Sequence, residues 1–131
     1  QFLFFKNYDG LVIEASGLGN LPTTNVDKYT KEHKKIFDAL KILIKKNVIV
    51  VLAPQTVFGR LNLNVYSNQR EMQEMGVLGH LNDMTPETTF IKLYWLLSNY
   101  KKSDVKNLIT KNLRGEINER IMADEFSAEF S

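Results

Sequence analysis

Val48-Ile49-Val50-Val51-Leu52-Ala53-Pro54 decides the fold. The run is apolar and rich in β-branched residues, it has no polar alternate to turn toward water, and Pro54 closes it. A strand of this kind is covered on both sides, as strands of parallel sheets are between layers of helix. Upstream, about Thr30 to Lys46 has a helical period, with Ile36, Phe37, Leu40, Leu43 and Ile44 on one face and Ala39 beside them. Lys41, Lys45 and Lys46 occupy its last turns, where cations complement the helix dipole, and Asn47 is a natural stop. Before it, Leu11-Val12-Ile13-Glu14-Ala15 follows the turn pair Asp9-Gly10 and reads as a short strand. Strand, helix and buried strand make a βαβ unit with a right-handed crossover.

The remainder continues the alternation. Gln55 to Asn64 is a polar loop holding Gly59 and Arg60, Val65 to Met75 reads as a helix, and Gly76-Val77-Leu78-Gly79 as a short edge strand. Thr85-Pro86-Glu87 is a strong helix start, with Thr as N-cap, Pro at the first position and an acid in the first turn. That helix runs to about Asn99 and is apolar nearly all round, which predicts that it is largely buried. Ser103-Asp104 opens another helix, with Val105, Leu108 and Ile109 inward and Gly115 at its close. The tail to Ser131 is polar and acidic, with Phe126 and Phe130 one turn apart. The expected architecture is one α/β domain over residues 1–131, three layers deep with a parallel sheet centred on Leu11–Ala15 and Val48–Ala53.

Composition narrows the chemistry. The chain has 131 residues, no cysteine, two histidines far apart and a net charge of +2. Disulfides, thiolate zinc sites, iron–sulfur ligation and a cysteine nucleophile are excluded, and no metal site is expected. Gln1-Phe2-Leu3-Phe4-Phe5 is apolar but ends at Lys6, far short of a membrane span or a signal-peptide core. Its start inside an apolar run suggests a processed product or an excised fragment.

Gly17-Leu18-Gly19 after a strand invites a phosphate-loop reading, but Pro22 stands where the dinucleotide fingerprint needs Gly or Ala and an opening helix. The plainer expectation is a loop with unusual backbone angles at the carboxyl end of a strand, where α/β folds place their sites. Between Asp27 and Lys46 seven lysines outnumber three acids, which reads as a solvated helix face with RNA contact as the minority reading. His33 and His80 lack a carboxylate or second His at ligand spacing. Gln55, Arg60 and Asn64 follow the central strand and are candidate site contacts by position. Tyr94 and Trp95 read as core or interface. None of Thr23, Thr24, Thr85, Thr88 and Thr89 has an obvious base at hand.

Gly10 to Pro22 resembles the glycine loop that opens the C-terminal domain of asparaginase-like amidohydrolases. Ala53 to Tyr66 resembles that family's next strand and loop, and Asp83-Met84-Thr85-Pro86-Glu87-Thr88 with Lys92 to Leu97 its next helix. The resemblance covers about residues 8 to 120 in order. Gly59 to Tyr66 and Asn112-Leu113-Arg114-Gly115-Glu116-Ile117 are most similar to the branch formed by the asparaginase-like, D-type subunits of archaeal glutamyl-tRNA(Gln) amidotransferases. Cytosolic type I asparaginases are the neighbouring branch.

The resemblance implies a glutaminase in which a threonine, activated by a second Thr, an Asp and a Lys, attacks the side-chain amide. Released ammonia would pass to the amidotransferase's other, E-type subunit, which uses ATP and Mg²⁺ to convert Glu-tRNA(Gln) to Gln-tRNA(Gln). Those catalytic residues lie in the other half of the family's chains, and this chain has no Thr-Gly-Gly-Thr-like stretch and no Thr-Asp pair. The resemblance further implies a sheet lacking its first strand, a homodimer, a cytoplasmic location, no membrane and no cofactor in this chain. The expected site-facing residues are Gln55, Asn64 and Tyr66, with Gly17, Gly19 and Asn20 forming the glycine loop. Leu18 stands between the glycines where some bacterial asparaginases place an Asn, which weakens a direct substrate contact from that loop. The alternatives are a fragment of a type I asparaginase and a flavodoxin-like binding module using the Gly17–Asn20 loop.

Overall fold

The computed structural model describes residues 2–119, with side chains from Phe4 onward. Strand β2 (Ile49–Pro54) is buried along its whole length, because its alternate side chains enter two separate cores. Val48, Val50 and Leu52 pack with Leu40 and Leu43 of α1 (Lys31–Lys45) and Met72 of α2 (Ser67–Met75). Ile49 and Val51 point the other way, onto Leu93 and Leu96 of α3 (Pro86–Asn99) and Val105 of α4 (Lys102–Leu108). The two-residue period of a strand thus turns an all-apolar run into helix–sheet–helix layering.

Strand β1 (Gly10–Ala15) pairs with β2 in parallel, from Gly10 opposite Ile49 to Ala15 opposite Pro54, and α1 makes the connection. Helix α1 buries Leu40 and Leu43 fully and Ile36, Phe37 and Ile44 in part, as its periodicity predicts. It is followed by Asn47 at φ 62°.

The sheet is smaller than a central β1 would require. Among the described residues it has two strands, and Leu78 adds a single parallel bridge to Val51. The Gly76–Gly79 stretch therefore joins at one residue rather than as a strand. The Leu78 amide donates to the Val50 carbonyl at 2.9 Å, and the Leu52 amide donates to the Leu78 carbonyl at 2.8 Å. Strand β1 is an edge. The carbonyls of Asp9 and Ala15 accept from Ile49 and Gln55 at 3.0 and 3.1 Å, so alternation turns the backbone groups of Gly10, Val12 and Glu14 to the open side. Among the described residues no strand pairs there; a 3-10 helix, Phe2–Asn7, leads into β1 and packs against α1.

Three further expectations change. Helix α3 starts as read, with Thr85 Oγ1 accepting from the Thr88 amide at 3.3 Å, but it is not buried all round. Thr89, Lys92, Leu93 and Leu96 are buried, whereas Phe90, Ile91, Tyr94 and Trp95 are 57, 62, 66 and 47% exposed. Among the described residues the helix lies in an outer layer and buries the face turned toward the sheet and α4. Helix α2 begins at Ser67 rather than Val65, because Tyr66 is extended and acts as the N-cap. Helix α4 stops at Leu108; Gly115 belongs to the following loop, where its amide donates to Asn112 Oδ1 at 2.7 Å. The acidic tail with Phe126 and Phe130, and the side chain of Phe2, lie outside the described residues.

Candidate functional site

Two loops meet at the carboxyl ends of β1 and β2. The first is the turn Ser16–Asn20. The Ser16 carbonyl accepts from the amides of Gly19 (3.1 Å) and Asn20 (2.9 Å), and the Ser16 amide donates to the Asn20 carbonyl at 3.2 Å. Gly19 has φ 111°, and a Cβ there would lie 2.5 Å from Leu63 Cδ2, so the turn lies flat on the second loop. The amides of Gly19 and Asn20 are spent on Ser16, and α1 opens only at Lys31, so the turn lacks the free amides and helix N-terminus of a phosphate cradle.

The second loop is Gln55–Tyr66. The Gln55 amide donates to the Ala15 carbonyl, and its side chain is exposed. Leu61 and Leu63 are fully buried and pinned from the segment after α2. The Leu61 amide donates to the Asn82 carbonyl (2.9 Å), the Leu81 amide to the Leu61 carbonyl (3.0 Å), and the Leu63 amide to His80 Nδ1 (3.2 Å). Asn64 is a junction. Its Oδ1 accepts from Gln73 Nε2 at 2.9 Å, its carbonyl accepts from Arg70 Nη1 at 2.9 Å, and its side-chain amide lies 3.4 Å from His80 Nε2.

The glycine loop and the Asn64–Tyr66 segment are joined through a side chain absent from the sequence expectations. Gln69 is fully buried; its Oε1 accepts from the Tyr66 amide at 3.0 Å and its Nε2 donates to Asn20 Oδ1 at 3.2 Å. Gln69 is the third residue after the N-cap Tyr66, the position of the capping-box acceptor. Placing the helix start at Val65 hides that signal. The structure therefore brings Asn20, Asn64 and Tyr66 into one network, with Gln55 at the adjoining strand end. The side chains of Gln55 and Tyr66 stay exposed, whereas that of Asn64 is engaged.

Arg60 does not join them. Its Nη1 and Nη2 donate to the carbonyls of Glu119 (3.1 Å) and Asn118 (2.8 Å), with Asp83 Oδ2 at 3.8 Å, so it ties the loop to the 118–119 segment. The floor is Asn82, fully buried, whose Nδ2 donates to the Leu52 carbonyl (2.9 Å) and Thr89 Oγ1 (3.2 Å) and whose Oδ1 accepts from the Met84 amide (3.0 Å). Sequence reading missed Asn82 as well; it lies between the apolar Leu81 and Met84 with only Asp83 beside it, and nothing local marks it as internal. His33 is half-buried, with Nδ1 3.0 Å from the Thr24 carbonyl. Among the described residues no group of His, Asp and Glu is placed to hold a metal ion, and no helix is long and apolar enough to cross a membrane.

A second polar cluster is structural. Lys92 Nζ, nearly buried, lies 2.6 Å from Glu116 Oε1 and also donates to the Lys111 carbonyl. Burial alone would raise the pKa of Glu116, but Lys92 and the amides of Glu116 itself, Arg114 and Leu113 outweigh it and hold the carboxyl at about 2. A carboxyl so readily ionised is a poor proton acceptor for catalysis near neutral pH. Its folded pKa is lowered, so its contribution to stability is complete above about pH 4.5 and is lost as pH falls toward 2. Glu116→Gln is expected to lower the thermal midpoint by roughly 3–8 °C at pH 7, and the gap to the parent should close as pH approaches 2. A gap independent of pH, followed by circular dichroism, would assign the loss to packing.

The parallel βαβ frame and the two joined loops can be set beside known proteins. Residues 1–108 match the family model of the glutaminase/asparaginase C-terminal domain. The D-type subunit of glutamyl-tRNA(Gln) amidotransferase from Methanococcus maripaludis strain C7 is 40% identical over 121 residues, 92% of this chain and 26% of that protein. The protein of the same name from Thermofilum pendens is 36% identical over 127 residues, 96% of this chain and 26% of its own length. The chain thus spans about a quarter of the length of these curated relatives. The thermostable L-asparaginase from Thermococcus kodakarensis superposes with a TM-score of 0.74 at 25% identity, covering 91% of this chain and 34% of that one. L-asparaginase I from Vibrio cholerae gives 0.70 at 28% identity, covering 90% and 34%. The family-model match and the likeness of fold agree, and the chain belongs to the glutaminase/asparaginase C-terminal domain family.

Proposed function

We propose that this chain serves within the glutaminase subunit of a tRNA-dependent amidotransferase. The observation that carries the reading is the 40% identity over 92% of the chain to a protein named as the D-type subunit of that enzyme. In this reading the threonine nucleophile and its activating groups come from outside this chain. The domain contributes one wall, with Gln55 and Tyr66 turned toward the amide substrate and Asn64 and Asn20 holding their loops. Ammonia passes to the E-type subunit, which uses ATP and Mg²⁺ to convert Glu-tRNA(Gln) to Gln-tRNA(Gln), in the cytoplasm. This chain alone is expected to release no ammonia from glutamine or asparagine above the buffer rate, because covalent catalysis needs nucleophile and base within hydrogen-bond reach. In the complete enzyme, Tyr66→Ala is expected to lower glutaminase kcat/KM by about tenfold or more. Unchanged activity for both Tyr66→Ala and Asn64→Ala would make the loop a purely structural element.

A metabolic asparaginase is the second reading, favoured by the two L-asparaginases among the structural neighbours. Ammonia release by the complete enzyme decides between them: an asparaginase prefers asparagine and works without a second kind of subunit and without tRNA.

Association belongs to the same proposal. Phe90, Ile91, Tyr94 and Trp95 form two i, i+4 ridges on the open face of α3, with Phe4 80% and Tyr8 62% exposed. Apolar surface of this kind marks interfaces, and a homodimer is expected. Sedimentation at micromolar concentration should show dimers, and Trp95→Glu should shift them toward monomer. A monomeric parent chain would remove the claim.

A further inference from the structure

The outer side of α1 concentrates the charge of this chain. Seven lysines face three acids between Asp27 and Lys46, a net of +4, while the whole chain carries +2, so the other residues sum to −2. At 100° per residue, Lys31, Lys34, Lys35, Lys41 and Lys45 fall on the side of the helix opposite Leu40 and Leu43, and Lys46 follows at the C-cap. All six are exposed. Glu32 engages only Lys35, at 2.7 Å, and Asp38 is the one acid left within the stripe. Among the described residues the other lysines of the stripe form no ion pair. At the head of the stripe Tyr29 is 81% exposed, with Lys28 Nζ 4.9 Å from its ring centroid.

A solvated helix face explains lysines opposite a core. It does not explain an uncovered aromatic ring at the head of the stretch with the net charge of +4. Cations one helical turn apart, about 5.4 Å, can follow successive phosphates of an extended strand. Exposed aromatics beside such a track stack on bases without reading sequence. We propose that the outer face of α1 binds the phosphate backbone of single-stranded RNA, with Tyr29 stacking on a base at one end. The binding is independent of sequence and stands whichever amide the family site hydrolyses.

The test is fluorescence anisotropy of a labelled oligouridine (about 12 nucleotides) titrated with the chain at several salt concentrations. The combined change Lys34→Gln, Lys41→Gln, Lys45→Gln should weaken binding more than about tenfold at low salt and flatten the log–log salt slope by about 2. Lys101→Gln, Lys106→Gln, Lys111→Gln removes the same charge elsewhere and should leave both nearly unchanged. Tyr29→Ala should weaken binding several-fold and leave the salt slope as it was. These side chains are exposed, and circular dichroism verifies that each variant folds. Equal losses in the two triple variants, or no binding at low salt, would overturn the assignment. So would capture of phosphatidylserine vesicles through these lysines without RNA binding, which would point to a membrane surface instead.

Discussion

Gly79→Ala is expected to lower stability by about 4 kcal/mol or more, enough to leave the chain largely unfolded near physiological temperature. Gly79 has φ 121°, and a Cβ there would stand 2.5 Å from the Leu52 carbonyl oxygen, 3.0 Å from its nitrogen and 3.1 Å from its Cβ. The obstructing atoms are the backbone of β2, which is packed by helices on both faces and cannot retreat without disturbing both cores. A flexible side chain could turn away; a buried strand cannot. Thermal unfolding followed by circular dichroism should show the midpoint falling by more than about 10 °C, or no cooperative transition. The same change at Gly59, where nothing lies within 4 Å, carries only the strain of its positive φ and serves as the comparison. A Gly79→Ala protein melting within about 3 °C of the parent would show that the segment over β2 can slide.

The second large effect is expected at Asn82. Replacement by Leu keeps the volume and removes every hydrogen bond of the side chain. The Leu52 carbonyl loses the Nδ2 donor, and the Met84 amide and Thr89 hydroxyl lose partners in a buried setting. A buried group left unsatisfied costs about 1–3 kcal/mol, so the sum is expected near 3–5 kcal/mol. Thr89→Val should cost about 1–2 kcal/mol, because Thr89 Oγ1 also donates to the Thr85 carbonyl at 2.9 Å. The double variant should cost less than the two singles together, since they share a bond. Urea unfolding gives these differences directly. Additive losses would mean that Asn82 and Thr89 do not act through each other.

The parallel βαβ unit was legible in the sequence because its signals are periodic. Val48–Pro54 has no polar alternate, α1 repeats every three to four residues, and Thr85-Pro86-Glu87 carries a cap that acts locally. The burial of α3 was misread because periodicity reports how apolar a helix is, not how many neighbours it has. Phe90 and Trp95 look like core residues in the sequence, yet among the described residues they stay largely uncovered. The site was legible only as a place. Gln55, Asn64 and Tyr66 fall at a strand's carboxyl end, which topology predicts. That Asn64 is consumed by Gln73 and His80, and that Gln69 links Tyr66 to Asn20, depends on side chains far apart in sequence. Such pairings carry no local signature. Arg60 illustrates the same limit from the other side, since a charged loop residue near a strand end suggests ligand contact, yet its partners are carbonyls 58 and 59 residues away.

The open side of β1 also bears on how this domain behaves at high concentration. Among the described residues nothing pairs with the outward backbone donors and acceptors of Gly10, Val12 and Glu14, and a row of that kind is a template on which another extended chain can grow. The only charged side chain of the strand is Glu14. One carboxylate is a thin guard against edge-to-edge assembly between molecules. Colloidal stability of the isolated domain should therefore hinge on that residue, and fibrillar aggregates should appear sooner for Glu14→Val than for the parent during prolonged shaking.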